Sequence, residues 1–102
     1  MRRAARRDAN HTDVGDYLRA LGWSVLDLAS HGRGVPDYVV GKPGIACLVE
    51  VKSDKSISHR PDRALTPEEQ GVRDRWAGPY IIAVSGEDAA QQLLALQRGW
   101  MR

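Results

Sequence analysis

Gly34-Val35-Pro36-Asp37-Tyr38-Val39-Val40-Gly41-Lys42-Pro43-Gly44-Ile45-Ala46-Cys47-Leu48-Val49-Glu50-Val51-Lys52 is the stretch whose reading decides the fold. Two runs rich in β-branched and aromatic residues, 38–40 and 45–51, flank a Lys-Pro-Gly turn. Pro43 presets φ and Gly44 tolerates φ > 0, which suits the two central positions of a type II turn. The pattern predicts an antiparallel hairpin centred on Pro43-Gly44, with Asp37 opposite Glu50. Directly opposed side chains share one face, with Cβ atoms ~5 Å apart. Lys52 lies two residues beyond Glu50 and shares that face. The prediction needs a loop of even length, because a one-residue slip turns Glu50 to the other side.

Opposed carboxylates repel, and like charges facing each other destabilise a sheet. Glu50 also ends an apolar strand, where a buried unpaired charge is costly. A divalent cation between the two acids removes both penalties. Mg²⁺ takes hard oxygen ligands, often one or two carboxylates plus waters and substrate phosphates. Lys52 beside them offers an ammonium able to orient a water or stabilise charge on a phosphate. The competing reading has Asp37 capping a strand start and Glu50 paired with Lys52 at a sheet edge.

Composition sets the frame. A chain of 102 residues is enough for one domain with a modest core. Fifteen Lys and Arg against 13 Asp and Glu leave a net charge of +2, mildly basic and not in itself a sign of nucleic acid. The single Cys47 has no internal disulfide partner and reads as a small buried hydrophobe in a reducing compartment. No apolar run approaches the ~20 residues of a membrane span, and the basic N-terminus lacks the apolar core of a secretory signal. The expected location is therefore the cytoplasm.

Taken in order, residues 1–9 form a basic arm carrying Arg2, Arg3, Arg6 and Arg7. Such an arm either lies along phosphates or is a solvated tail. Asn10 or Thr12 then suits a helix cap. Val14, Tyr17, Leu18 and Leu21 recur at helical spacing and predict one apolar face, with Asp13 and Asp16 off it and Gly22 as the stop. Residues 23–28 alternate as a first strand. The following loop holds His31, Arg33 and two glycines just before Pro36-Asp37, placing cations where backbone can approach a phosphate. Residues 53–64 are polar and carry Lys55, Arg60 and Arg63, as a loop beside the site would.

Thr66-Pro67-Glu68-Glu69 is a helix start, with Thr66 as N-cap, Pro67 at the first helical position and Glu69 completing a capping box. Val72 and Trp76 supply that helix's apolar side, Gly78 ends it, and Gln70 sits in its first turn. Residues 80–84 are a nearly continuous apolar strand of the kind buried on both faces. Ser85-Gly86-Glu87-Asp88 resembles a second capping box, before a helix with Ala89, Leu93 and Leu96 on one face. The order α-β-β-β-α-β-α predicts an α/β domain, a central mixed sheet with helices on both faces.

Gly-x-Pro-Asp, then an apolar strand ending Glu-Val-Lys, then Leu65-Thr66-Pro67-Glu68-Glu69-Gln70 resembles the Pro-Asp…(Asp/Glu)-x-Lys nuclease superfamily. The likeness is greatest to its VRR-NUC branch, small phage and bacterial nucleases related in fold to Holliday-junction resolvases, and it runs from about residue 8 to about residue 90. The resemblance implies a restriction-endonuclease-like core spanning 1–102 as a single nuclease domain. It implies a Mg²⁺-dependent DNA endonuclease, with Mn²⁺ able to substitute, acting on branched or junction DNA as a homodimer. Asp37, Glu50 and the Val51 carbonyl would hold the metal, with Asp13 assisting. Lys52 would serve the attacking water, and Gln70 would accompany the acids. His31, Arg33, Lys55, Arg60, Arg6 and Arg7 are the candidate DNA contacts. The alternative is a non-catalytic DNA-binding or regulatory module on the same scaffold. A structural interaction domain is a third reading, and it leaves the buried charges unexplained.

Overall fold

The computed structural model describes residues 9–53 and 65–100. Its elements are α1 (Ala9–Ala20), β1 (Ser24–Asp27), a 3₁₀ turn (Ala29–His31), β2 (Tyr38–Lys42), β3 (Ile45–Val51), α2 (Pro67–Arg75), β4 (Tyr80–Ala83) and α3 (Gly86–Trp100). The main helices and strands follow the predicted order. The basic arm residues Arg6 and Arg7, and the loop cations Lys55 and Arg60, lie outside the described residues.

The hairpin forms in the predicted register. Tyr38 faces Val49, Val40 faces Cys47 and Lys42 faces Ile45, so only Pro43 and Gly44 are left for the turn. Gly44 has φ +88°, the positive value the turn requires. Continued by one pair, this register sets Asp37 opposite Glu50. β1 joins the other edge of β2 antiparallel, and β4 joins β3 parallel, giving a mixed sheet in the order β1-β2-β3-β4. The parallel β3–β4 pair needs a crossover connection, and α2 lies in it.

Alternation along the strands sorts the two faces. Trp23, Tyr38, Val40, Cys47, Val49, Ile81 and Ala83 point to one side, against Val14 and Leu18 of α1 and Ala89 and Leu93 of α3. Val14, Leu18, Cys47, Val49, Ala89 and Leu93 are wholly shielded from solvent. Burial pushes the Cys47 thiol up to about 12, so it is an inert core residue, as its mid-strand position suggests. Lys42 lies 4.9 Å over the Trp23 ring and covers that end of the core. By register, Leu48 and Glu50 of β3 and Tyr80 and Ile82 of β4 face the opposite side.

Several expectations are corrected. α1 already runs at Ala9, so Asn10 and Thr12 lie inside the helix, not at its boundary. Tyr17 and Leu21 are 43% and 49% exposed, so the buried stripe of α1 narrows to Val14 and Leu18. Tyr17 instead packs flat against the backbone at Gly86, where a Cβ would collide with it. β4 is an edge strand, with only Ile81 and Ala83 buried, because a strand at the sheet margin is covered by α3 on one side alone. α2 buries none of its residues. Trp76 closes that helix and donates its indole N–H to the Pro79 carbonyl at 2.9 Å. Helices on both faces therefore holds only in part: α1 and α3 cover the apolar face, while α2 meets the other through Glu69 in its first turn and Arg73 in its last. The composition Pro-Glu-Glu-Gln-Gly-Val-Arg-Asp-Arg leaves α2 too polar to do more.

Candidate functional site

Asp37 immediately precedes β2, beside the end of β3. Its Oδ2 accepts the Val51 N–H at 2.8 Å, and its carbonyl accepts the Leu28 N–H at 2.7 Å. The side chain thus fastens the end of β3 and cannot swing away without freeing a backbone donor. The Val51 carbonyl, a ligand by expectation, belongs to the residue whose N–H Asp37 holds.

Glu50 is 5% exposed, the one buried charged residue among those described. Burial pushes its carboxyl up to about 9, and the carboxylates of Asp37 and Glu69 push the same way against the weaker pull of Lys52. The buried site therefore favours the protonated form of Glu50. The Asp37 carboxylate disfavours the charged form of Glu50, the direction expected from their opposition across the hairpin.

Lys52 follows on the same face. Its backbone N–H bonds the Ala83 carbonyl at 2.9 Å, tying the end of β3 to β4. Its Nζ sits 2.8 Å from Glu69 Oε1 and 3.6 Å from Glu50 Oε2. Burial alone would lower the Lys52 pKa, but Glu69 and Glu50 outweigh it and hold the ammonium charged. Burial likewise works against the charged form of Glu69, yet hydrogen bonds from Lys52 and from Thr66 N–H bring its pKa below the usual value.

Glu69 is the site residue that sequence reasoning placed elsewhere. Its capping box is real: Thr66 Oγ1 accepts the Glu69 N–H at 3.2 Å, and Glu69 Oε1 accepts the Thr66 N–H at 2.9 Å. The same oxygen also takes Lys52. The capping motif explains a carboxylate there so fully that no second role is signalled. Gln70, by contrast, was expected beside the acids. Its Nε2 instead donates to Asp74 Oδ1 at 2.8 Å, one turn along α2. On a helix, neighbouring residues point about 100° apart, so when Glu69 faces β3 its successor cannot face it equally.

Gly34 explains why two motifs far apart in sequence meet. Its φ is +81°, and a Cβ there would lie 2.5 Å from the Glu68 carbonyl carbon and oxygen and 2.9 Å from Glu69 N. The loop before Pro36-Asp37 thus runs directly against the first turn of α2. Only glycine permits that approach.

The remaining candidates fall at different distances from this centre. His31 closes the exposed 3₁₀ turn, and Arg33 is exposed with φ +58°, both on the loop leading into Asp37. Asp13 is exposed on α1. It does not complete a cage with the other acids: among the described residues no three His, Cys, Asp or Glu side chains are grouped to hold an ion. Tyr80, on the Glu50 face, has a buried hydroxyl without a hydrogen-bond partner among the described residues. Burial and the nearby Glu50 raise its pKa, and Arg73 lies 5.4 Å over its ring. Among the described residues no helix is long and apolar enough to cross a membrane.

The Glu50 and Glu69 carboxylates thus flank the Lys52 ammonium, and Asp37 lies opposite Glu50 by register. Comparison of the chain with family models, with curated proteins and with solved structures finds no match.

Proposed function

We propose that the protein is a metal-dependent nuclease that hydrolyses DNA phosphodiester bonds. One observation carries this reading: the hairpin register that sets Asp37 opposite Glu50, with the Lys52 ammonium 3.6 Å from Glu50. The donor set suits a hard divalent cation. It offers only oxygen donors, its carboxylates outnumber its ammonium, and Glu50 holds a proton that a cation would displace. Asp37 and Glu50 would hold Mg²⁺, or Mn²⁺ in its place. Bound there, the ion supplies Lewis acidity that lowers the pKa of a water and neutralises charge on a phosphate.

The chain's own residues do the rest. Asp37 keeps one oxygen on Val51 N–H and so fixes the end of β3, on which both Glu50 and Lys52 depend. Lys52 sits at the margin of the site and brings positive charge to where negative charge accumulates during attack on phosphorus. Arg33 and His31 stand on the adjoining exposed loop and would meet phosphates of the DNA backbone. A preference for branched DNA and a twofold dimer belong to the same proposal. A domain this small has little surface for a duplex, whereas specific interfaces bury roughly 1,000–2,500 Å² of protein.

The test is cleavage of a panel of linear, nicked, flapped and four-way DNA with Mg²⁺ or Mn²⁺, and its loss with chelator. Lys52→Ala should fold, bind Mn²⁺ and bind DNA, yet cut 10²- to 10³-fold more slowly, roughly the cost of one such electrostatic contact. Metal and DNA binding without any cleavage would favour the non-catalytic module. Cleavage by Lys52→Ala at the wild-type rate would remove Lys52 from the mechanism.

A further inference from the structure

We propose that Glu69 is a positioning residue for Lys52, drawing its ammonium away from Glu50. The inference rests on the reading of Asp37 and Glu50 as a divalent-cation site. It deepens that reading by adding a carboxylate from a different element.

The geometry is a competition. Lys52 Nζ lies between two carboxylates and is closer to Glu69, at 2.8 Å, than to Glu50, at 3.6 Å. The shorter contact is a charge-assisted hydrogen bond; the longer one is beyond that range. Both side chains of the shorter pair are 17% exposed, so solvent screens it little. Among the described residues, Glu50 is the other carboxylate within 4 Å of the Lys52 ammonium. An ammonium settled on Glu50 would occupy the oxygens a cation needs.

Glu69 is held to this task from two directions. Its own oxygen is anchored by Thr66 N–H within the capping box. Its backbone is braced by the loop at Gly34, which passes too close for any side chain. Two rigid constraints on one carboxylate suit a group that must hold a flexible lysine in a defined place. The helix cap by itself requires only an acceptor at this position, and glutamine serves that purpose as well as glutamate.

That equivalence supplies the experiment. Glu69→Gln keeps the capping box and withdraws the charge. Thr66→Ala removes the cap and leaves the charge. Calorimetric titration with Mn²⁺ should show an affinity about tenfold weaker for Glu69→Gln, the scale of losing an outer-shell partner. Thr66→Ala should lower Tm while keeping the Mn²⁺ affinity within about twofold of wild type. Cleavage should fall with the affinity in Glu69→Gln and recover at higher Mn²⁺. In a Lys52→Ala background, Glu69→Gln should cause no further loss of Mn²⁺ affinity, because the loss expected in the single variant passes through Lys52. A further tenfold loss in that background would mean that Glu69 acts on the ion directly, and would overturn the proposal. So would an unchanged affinity in the single variant.

A metal-free arm separates this proposal from the nuclease reading. The Tm losses of Lys52→Ala and Glu69→Gln should be non-additive by about 4 °C, as expected for two groups in direct contact. If the wild-type protein binds no Mn²⁺, the cation reading falls and this coupling alone decides whether Glu69 governs where Lys52 sits. Additive Tm losses overturn the proposal whatever the metal does.

Discussion

Along β3, Cys47 and Val49 point under α1 and α3, while Leu48 and Glu50 point the other way. The two faces are made from alternate residues of the same strands. The first is apolar, closed by two helices and indifferent to pH. The second carries Asp37, Glu50 and Lys52, and among the described residues α2 meets it through Glu69 and Arg73. The difference teaches that the stabilising core and the candidate site are divided by strand alternation. The apolar face provides the stability that lets the other hold like charges together.

The sharpest break between them should come from the core. Leu93 is fully buried on the apolar face. Leu93→Ala should lower unfolding free energy by about 3–5 kcal/mol, measured by urea denaturation, as for comparable leucine truncations. The surviving folded fraction should bind Mn²⁺ with wild-type affinity. A parallel loss of affinity would show that the faces are not separable.

Gly34→Ala is expected next in size. It combines a positive φ with a collision against the Glu68 backbone, and should cost about 3 kcal/mol. Unlike the core change, it should also weaken Mn²⁺ binding, because the loop carrying Asp37 and the turn carrying Glu69 are pushed apart. Wild-type affinity in this variant would refute the close approach as an organiser of the site.

Glu50 tests the pH dependence of the second face. Its carboxyl titrates at about 9 in the fold, against an ordinary value of 4.5. Between those values the folded state keeps a proton that the unfolded state has lost. This contribution to stability is complete below about 4.5 and is lost as pH rises toward 9. The slope is at most about 1.4 kcal/mol per pH unit. Glu50→Gln mimics the protonated form at all pH values and should stabilise the metal-free protein at pH 8 by about 2 kcal/mol. Denaturation with pH as the variable checks the sign. A metal-free wild type that gains stability from pH 5 to pH 8, relative to Glu50→Gln, would contradict the buried carboxyl.

The smallest effect belongs to Tyr80. Its buried hydroxyl lacks a partner among the described residues. Tyr80→Phe removes that desolvated group and keeps the ring under Arg73. It should raise stability by about 1 kcal/mol, seen as a higher Tm. A lower Tm would mean that the hydroxyl is bonded in solution.

Much of this arrangement was legible in the chain, for local reasons. Pro43-Gly44 between two β-rich runs allows one turn, and a two-residue turn sets the register. From the register follow the opposition of Asp37 and Glu50 and the placing of Lys52 on their face. Thr66-Pro67-Glu68-Glu69 likewise announces its helix start, because capping is an interaction among neighbours in sequence. These features depend on separations of a few residues, or on strand periodicity alone. The tertiary structure decided what depends on how elements meet. It left Tyr17 and Leu21 of α1 exposed, put β4 at the edge, and sent the Gln70 amide to Asp74. It also brought Glu69 to Lys52, because a left-handed glycine lets the Asp37 loop lie against α2. No spacing along the chain encodes that contact: residues 34, 52 and 69 belong to three separate elements, and only their packing makes them neighbours.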